Sequence, residues 1–461
     1  NELRGRQRLC AHTASPLLPR ACSRVWPLLL AHSIAAGMGG HLEEVRKIRE
    51  ARERAARRAL RGLDPEQGSE GEEESDDADL PEAPDLTPED ERRALAPHTG
   101  ASKPPQPAVH NGPSPAALPV IRLGWAAEAA TPGLPAGSPG EAADVFCVRY
   151  SPDDALVAAG CGDGVVRVYH ATDGRLAYSL ADDSLTLPTT CLRFRPSAAS
   201  AKTRNVLLAA NSDGTVKHWH LTSGKCLHSV TEQDNQVYAV DYDTDGSHFA
   251  TAGRDCHIRL YDETTKSAVS TLLSSLDRAP SGYHSAGASA HSGHSNRVFG
   301  LRFGAEPHSL LSGGWDNTVQ LWDTRTATTA LSIYGPHVCG DALDMRGHTI
   351  LSGSWRPEQQ LQLWDARTGG LLATLPWPAH GRTREPCQVY AAQFSRHDGG
   401  ARIIAGGSGA NEVRVFDAKG GGSLAAITLP KGVYGLDVEG GGGHVAVAAG
   451  DNAVRTLELP C

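Results

Sequence analysis

Apolar and polar positions repeat along the chain from about residue 117 onward in a pattern that predicts short β-strands. Each copy has an apolar strand, a turn, a strand of small residues, a turn with Gly and Asp, and a strand in which apolar and polar residues alternate. Such alternation over four to eight residues is typical of a half-buried strand. The copies end at Tyr169-His170, Trp219-His220, Tyr261-Asp262, Trp322-Asp323, Trp364-Asp365, Phe416-Asp417 and Leu457-Glu458. We therefore expect an all-β domain over residues 117–461.

The spacing of the copies predicts a repeat architecture. Successive copies end 50, 42, 61, 42, 52 and 41 residues apart. The shorter spacings agree with a repeat of ~40–45 residues that supplies four strands. The longer spacings contain insertions at residues 197–204, 274–293 and 380–386.

The fourth copy contains His294, Ser312, Asp316 and Trp322. With this set and the repeat period, about three quarters of the chain resembles the WD-repeat family. The resemblance implies a seven-bladed β-propeller, and the composition before the repeats predicts that a disordered or helical N-terminal extension precedes it. It also implies a tetrad in which the Asp accepts a hydrogen bond from the His, which is bonded through the Ser to the Trp. A satisfied network of this kind stabilises a blade.

The other copies match the tetrad only in part. Four of them have an Asp at the turn position, but these copies lack the Gly-His half, and Arg356 stands beside the turn of the fifth copy instead. We therefore expect the other blades to depend more on packing. The turn residues are Asp163, Asp213, Asp255 and Asp451.

The resemblance also implies how the ring closes. A repeat of this family supplies the outer strand of one blade and the inner three strands of the next, and the last repeat ends at Leu459. The strand-like segment from Leu118 to Leu123 precedes the first repeat. We expect this segment to pair with the last blade, which would remove two exposed sheet edges.

The region before the repeats divides into three parts. Residues 1–37 are rich in Arg and precede Met38, so they form either a non-native leader or a targeting segment. Residues 38–63 predict a charged helix, because acids and bases lie four residues apart. Residues 64–116 are acidic and then rich in Pro and Ala, which predicts a disordered linker.

Composition limits the classes of function. The net charge is −9, but twelve acids and no basic residue lie between Glu70 and Glu91, which leaves about +3 on the rest of the chain. This balance does not favour nucleic acid as the main partner. No apolar run approaches the ~20 residues that cross a bilayer. Ten single cysteines predict free thiols and a cytoplasmic, nuclear or ciliary location rather than a secreted one.

The sequence contains no convincing catalytic, metal-binding or cofactor-binding pattern. The glycines around Asp163 belong to a strand turn, with no helix after them, and residues 221–225 lack the first glycine of a phosphate loop. The cysteines and histidines show no zinc-like spacing. We therefore predict a non-enzymatic monomer within a larger complex, with other proteins or peptides as partners and no small-molecule substrate.

One position of the innermost strand suggests a binding site. Five copies begin this strand with Val and an aromatic residue, and Thr190 and Asp341 occupy that position in copies two and five. In similar proteins the position faces the mouth of the central channel, near which Trp315 and Trp355 also lie. Aromatic rings with one carboxylate suit an inserted Arg or Lys side chain. Alternatively, the rings fill a narrow channel. The aromatic residues are Phe146, Tyr238, Phe299, Tyr390 and Tyr434.

Two consecutive copies carry a second motif, Trp-Asp-x-Arg. Paired boxes of this kind resemble those of substrate receptors of cullin–RING ubiquitin ligases, in which the Arg contacts the adaptor. The alternative is that Asp and Arg cap the turn locally. The residues are Trp322, Asp323 and Arg325, and Trp364, Asp365 and Arg367.

Three functions therefore stay open. The broadest is a protein–protein interaction scaffold. The second is a ligase substrate receptor, and the third is a reader of basic peptides such as histone tails. Fold does not choose among them.

Overall fold

The structure is a computed structural model that describes residues 121–130, 143–182, 187–197, 205–273, 293–378 and 385–460. The predicted leader, charged helix and linker lie outside these ranges, as does most of each insertion. These assignments stay predictions.

The described residues form seven four-stranded antiparallel sheets, so the predicted seven-bladed propeller is confirmed. The strands are β1 (Arg122–Glu128), β2 (Val145–Tyr150), β3 (Leu156–Cys161), β4 (Val166–His170), β5 (Leu176–Leu180), β6 (Thr189–Phe194), β7 (Val206–Asn211), β8 (Thr215–His220), β9 (Lys225–Thr231), β10 (Val237–Tyr242), β11 (His248–Gly253), β12 (Ile258–Asp262), β13 (Ala268–Leu272), β14 (Val298–Phe303), β15 (Ser309–Gly314), β16 (Thr318–Asp323), β17 (Thr328–Tyr334), β18 (Leu343–Arg346), β19 (Thr349–Gly353), β20 (Leu361–Asp365), β21 (Leu371–Leu375), β22 (Gln388–Phe394), β23 (Arg402–Ser408), β24 (Glu412–Asp417), β25 (Ser423–Thr428), β26 (Val433–Val438), β27 (His444–Ala449) and β28 (Ala453–Glu458). A 3-10 turn follows β8 at Leu221–Ser223.

Each blade is built from the centre outward. Blades 1 to 6 take four consecutive strands each, from β2–β5 to β22–β25, and blade 7 combines β26–β28 with β1. The innermost strands β2 and β10 are buried throughout, whereas the outer strands β5 and β13 alternate or are exposed. This gradient explains why apolar runs begin each copy and alternating strands follow.

The core consists of clusters that neighbouring blades share. Leu310 and Trp322 of blade 4 pack with Ala252 and Leu260 of blade 3. Phe249 and Tyr261 of blade 3 pack in a cluster with Cys191 of blade 2. Because each blade buries its face against the next one, a blade is stable only within the closed ring.

The ring is closed by β1, which pairs antiparallel with β28. The predicted closure is therefore confirmed, but its predicted bounds are wrong. The strand runs from Arg122 to Glu128, past Leu123, and a register shift between Leu123 and Ala126 interrupts it. Trp125 also donates its indole N–H to the carbonyl of Ala171 in blade 1, at 2.7 Å. Residues 118–120 lie outside the described ranges.

The expectation that blades without the full tetrad depend more on packing stays a prediction, but most of these blades also contain an ion pair. The third strand of each blade ends in an aromatic residue, or in Leu457 in blade 7, followed by one polar residue. In five blades an Arg or Lys lies two positions before that aromatic or Leu residue and pairs with a carboxylate. Blades 4 and 5 have Gln320 and Gln362 there instead. The pairs are Arg167–Asp163 (2.6 Å), Lys217–Asp182 (2.8 Å), Arg259–Asp255 (2.5 Å), Arg414–Glu412 (2.6 Å) and Arg455–Asp451 (2.5 Å).

Candidate interaction surfaces of the propeller

The four tetrad residues of blade 4 form one hydrogen-bonded chain. His294 Nδ1 lies 2.8 Å from Asp316 Oδ2, and His294 Nε2 lies 2.6 Å from Ser312 Oγ. The Trp322 indole N–H donates to the same Ser312 Oγ at 2.7 Å. His294 belongs to the connector from blade 3, so the chain ties that connector to the second and third strands of blade 4.

Blade 3 builds a different network at the corresponding place. The buried Glu232 accepts hydrogen bonds from Thr251 Oγ1 at 2.5 Å, Asn235 Nδ2 at 2.6 Å and the Tyr261 hydroxyl at 2.9 Å. Its carboxylate also pairs with Arg259 at 3.0 Å. In blade 3, Glu232 therefore links the connector to the second and third strands, as His294 does in blade 4. A search for the Gly-His dipeptide cannot find this residue.

An antiparallel blade presents its turns alternately on two faces of the ring. The connectors between blades and the turns between second and third strands lie on one face, here called the mouth face. The remaining turns lie on the opposite face, and both Trp-Asp-x-Arg boxes belong there.

The boxes are used locally in the structure. Arg325 donates to Asp323 at 2.8 Å and Arg367 to Asp365 at 3.1 Å, while the arginine side chains are 65% and 67% exposed. The prediction that Trp322 and Trp364 could contact an adaptor is wrong. Both indoles are buried, 2% and 8% exposed, and donate to Ser312 and Ser352 within their own blades.

On the mouth face, the predicted channel position coincides with a β-bulge. In each of six blades the register of the innermost strand shifts at this residue, which has no partner on the next strand. An extra residue in one strand redirects its side chain. The sequence showed the Val–aromatic pairs but not the bulge. The bulged residues are Phe146, Thr190, Tyr238, Phe299, Tyr390 and Tyr434.

Five rings from blades 3 to 5 form a continuous row, here called the aromatic arc. Tyr238 stacks on Phe299 with ring centroids 4.5 Å apart, and Phe299 lies 5.1 Å from Trp315. His337 continues the row, at 6.1 Å from Trp315 and 6.5 Å from Trp355. Sequence reasoning missed His337, because blade 5 has no Val–aromatic pair to mark it.

A second group of rings lies in blades 6, 7 and 1. Tyr434 is 6.1 Å from Phe146 and 5.6 Å from Tyr390. Burial raises the pKa of Tyr434, and the nearby Asp144 raises it further. The rings of the mouth therefore divide into two groups with different charged neighbours.

The rings are not equally accessible. Phe146, Tyr238, Phe299 and Tyr390 are at most 8% exposed, so these four line the channel as part of the core. Trp315, Trp355 and Tyr434 are half-buried. The burial of these four rings agrees with the alternative in which the rings fill the channel, whereas Trp315 and Trp355 keep accessible aromatic surface in the arc.

Asp341 does not present an available carboxylate. It pairs with Arg149 of blade 1 and, at 3.0 Å, with Arg193 of blade 2. Two guanidiniums of the chain itself thus occupy the site predicted for a partner's Arg or Lys. Burial and the neighbouring Arg193 lower the pKa of Arg149 to about 10.

These arginines belong to a polar belt across the channel. Three residues after each mouth position, the innermost strand carries a charged or amide side chain. The members are Arg149, Arg193, Asp241, Arg302, Asp344, Gln393 and Asp437.

The belt joins neighbouring blades through backbone N–H groups. Asp241 accepts from the N–H of Phe303, Asp344 from that of Phe394, and Asp437 from that of Tyr150, all at 2.8–2.9 Å. Burial raises the pKa of Asp437, but Arg396, Arg149 and this N–H outweigh it and hold the pKa below its usual value. The belt is thus an internal lock between blades.

A groove of about 460 Å³ opens near the turns of blades 1 and 2 on the opposite face. Pro152, Phe194 and Pro196 line it, together with Arg195. Arg195 already pairs with the buried Glu263 of blade 3. The groove has a mixed lining of apolar and polar side chains, and its guanidinium is already paired within the chain.

The described part of the chain shows neither a metal-binding cluster nor a membrane-spanning helix. No group of three or more His, Cys, Asp or Glu side chains there is arranged to hold a metal ion. No helix in those same ranges is long and apolar enough to span a membrane.

Comparison with known proteins agrees with the fold. The family model "WD domain, G-beta repeat" matches residues 137–170, 224–262 and 287–323. Periodic tryptophan protein 2 of Arabidopsis thaliana is 26% identical over 244 residues, which are 50% of this chain and 23% of that protein. The ribosome biogenesis protein WDR12 homologue of Chlamydomonas reinhardtii is 26% identical over 246 residues, 49% of this chain and 54% of that protein.

A shorter match is more similar. The target of rapamycin complex subunit LST8 of Mus musculus is 31% identical over 121 residues, 26% of this chain and 32% of that protein. The chain spans about half or less of each of these three relatives. The seven blades, the tetrad of blade 4 and these matches together show that the chain is a β-propeller of the WD-repeat family.

Proposed function

We propose that this protein is a non-enzymatic scaffold subunit that binds a partner protein at the mouth face of blades 3 to 5. The aromatic arc carries the proposal, because it includes the half-buried Trp315 and Trp355. Aromatic side chains in partly desolvated positions are common anchors of protein interfaces. The belt links neighbouring blades and so supports the arc as a fixed platform.

The relatives support a role within an assembly. The names of two relatives assign them to ribosome biogenesis, and a third is named for association with the U3 snoRNP. Another is a subunit of the target of rapamycin complex. By analogy we propose that this chain also works inside a multi-protein complex, with a nuclear assembly favoured by the first three names.

The two alternatives have less support. A reader of basic peptides would need the carboxylate of Asp341, which Arg149 and Arg193 neutralise. A ligase receptor would need Arg325 and Arg367 to leave their own aspartates. The basic-peptide reader therefore lacks a carboxylate available for a ligand. The ligase receptor is supported only by the exposure of its two arginine side chains.

Affinity purification with mass spectrometry tests the proposal. The full-length protein is compared with a Trp315→Ala/Trp355→Ala variant and with an Arg325→Ala/Arg367→Ala variant, after each is shown to melt cooperatively. We expect the tryptophan variant to lose partners that the arginine variant keeps. The reverse result, with a ligase adaptor among the lost proteins, would reject the mouth face in favour of the receptor function.

A further inference from the structure

Three arginines surround the aromatic arc, and sequence reasoning assigned none of them to a binding site. Arg254 takes in blade 3 the place that Trp315 and Trp355 take in blades 4 and 5. Arg254 and these two tryptophans each follow the second strand of their blade and donate their backbone N–H to the connector from the preceding blade. The acceptors are the carbonyls of Gln236 at 3.0 Å, Arg297 at 3.0 Å and His337 at 2.8 Å. The Arg254 side chain is exposed on the mouth face.

The other two guanidiniums are held in place. The Arg297 guanidinium lies over the Trp315 ring, 5.1 Å from its centroid. Arg356 donates to Asn317 Oδ1 at 2.8 Å, and His337 Nδ1 lies at the same distance from that oxygen. Guanidiniums fixed by a ring or an amide lose little conformational entropy when a ligand binds.

No carboxylate of the described residues lies within ion-pair distance of Arg254, Arg297 or Arg356. The turn aspartates of blades 3 and 4 are engaged elsewhere: Asp255 pairs with Arg259, and Asp316 with His294. This positive charge differs from the internal belt, where guanidiniums meet carboxylates of the chain. The three side chains are defined here as the arginine arc.

We propose that the arginine arc binds an acidic segment of a partner protein, with Asp or Glu carboxylates paired to Arg254, Arg297 and Arg356. This inference rests on the proposed function, since it assigns a chemistry to the partner at the same surface. Guanidiniums bind carboxylates through paired, charge-assisted hydrogen bonds, and such pairs are strongest where the guanidinium is already oriented. The charge of this ligand is opposite to that of the basic peptides considered as the third function in the sequence analysis.

The geometry favours an acidic protein segment over single-stranded RNA. Sequence-tolerant RNA binding needs exposed ring faces on which bases stack. The Trp315 ring is already covered by Arg297 and packs against Phe299 and His337, and Tyr238 and Phe299 stack on each other. Contacts within the arc therefore occupy most of its rings, whereas its guanidiniums suit carboxylates.

Fluorescence anisotropy with the full-length protein tests the proposal. The probes are a fluorescein-labelled dodecapeptide of alternating Asp and Glu, the same length of Lys, and a dodecamer of uridine. We expect the acidic peptide to bind best and the Arg254→Glu/Arg297→Glu variant to weaken it at least tenfold. The Arg254→Glu variant alone, which changes an exposed side chain, keeps the test decisive if the double variant does not fold.

The matched control is Arg122→Glu/Arg175→Glu, which makes the same change of charge at exposed residues on the opposite face. We expect less than a twofold change for this control. Equal loss in both double variants, preference for the Lys peptide, or tighter binding of the uridine oligomer would each overturn the proposal.

Adding the Arg254→Glu/Arg297→Glu variant to the affinity purification separates the acidic-partner proposal from the proposed function. If partners depend on Trp315 and Trp355 but not on Arg254 and Arg297, the acidic partner is rejected and the proposed function stands. If neither pair matters, both fail.

Discussion

Blades 4 and 6 attach the connector from the preceding blade to their third strand in two different ways. In blade 4 His294 joins Ser312, Asp316 and Trp322 by hydrogen bonds. In blade 6 Ala405 and Phe416 occupy the positions of Ser312 and Trp322. Because neither side chain has a polar atom, the hydrogen-bonded network of blade 4 cannot form there.

Blade 6 uses a buried ion pair instead. Arg414 and Glu412 are 0% and 1% exposed, and Arg414 donates to Glu412 at 2.6 Å. Arg414 also donates to the connector carbonyl of Pro378 at 2.9 Å, and the Trp377 indole N–H of the connector lies 3.2 Å from Glu412. The comparison teaches that the polar link at this place can be supplied either by hydrogen-bonded residues or by a buried ion pair.

The largest expected effect concerns the ring on which both solutions depend. A chain that begins at residue 130 lacks β1, so β28 becomes an exposed edge and the core of blade 7 is uncovered. We expect a loss of at least about 5 kcal/mol in the free energy of unfolding, beyond the range of most single substitutions. Thermal melting checks this against a chain that begins at residue 116 and keeps β1. Equal melting of the two chains would contradict the closure.

Within blade 6, Glu412→Ala leaves the buried Arg414 without its carboxylate. Removing one partner of a buried pair costs about 3–5 kcal/mol, because the remaining charge is uncompensated. Urea unfolding measures the loss. Arg414 Nε and Glu412 Oε1 have no hydrogen-bond partner among the described residues. We therefore expect Glu412→Ala/Arg414→Leu to recover part of the stability, and a double variant as weak as the single one would speak against this account.

Glu263 of blade 3 contacts Arg195, His218 and Lys266, and this ionic cluster between blades 2 and 3 should make stability depend on pH. Burial, with Lys266, His228 and Arg195 nearby, lowers the pKa of His218 to about 2. His218 takes up a proton near pH 6.5 in the unfolded chain but not in the folded chain. Its effect on the free energy of unfolding is therefore absent well above pH 6.5, and it lowers stability as the pH drops below that value. The expected loss is roughly 2 kcal/mol at pH 5.

Urea unfolding between pH 7.5 and 5 measures this slope. His218→Gln should flatten it, whereas His220→Gln at the end of the same strand controls for the loss of a histidine. An unchanged slope in His218→Gln would show that other groups cause the acid sensitivity.

In blade 4, His294→Ala should cost less than Glu412→Ala in blade 6. Ser312 loses one of two partners, while Asp316 keeps the N–H of Ser295 at 3.0 Å and that of Thr318 at 3.1 Å. An unsatisfied buried polar group costs about 1–3 kcal/mol. Thermal melting of the two variants side by side tests the order. A larger loss for His294→Ala would reverse the comparison.

The smallest effect is expected on the opposite face. Arg325 holds the pKa of Asp323 at about 2, but both groups are open to solvent. Exposed ion pairs contribute little, because water and salt screen them. Asp323→Ala should leave the melting temperature unchanged within error, so a clear drop would show that the turn is a structural support.

The sequence predicted features that depend on local pattern. The blade count followed from strand periodicity, and the tetrad followed from His294, Ser312, Asp316 and Trp322. The mouth position was marked by Val–aromatic pairs. Each of these signals lies within one or two repeats, where spacing along the chain determines which side chains meet.

Contacts between distant repeats could not be predicted in this way. Asp341 of blade 5 meets Arg149 of blade 1 and Arg193 of blade 2 only because the ring brings three inner strands to one channel. Glu232 in the place of a His was also hidden, since it lies five residues before its strand and not four. The bulges depend on register between strands, which composition does not report.

The pairing of β1 with β28 also has a consequence for synthesis on the ribosome. The Trp125 backbone N–H binds Thr456, 331 residues later in the chain. At 5–20 residues per second, β1 waits roughly 15–70 s for this partner to be made. During that time its edge, including the exposed Leu123, is open to other chains. A nascent chain of this protein therefore needs protection at β1 until β28 has emerged from the ribosome.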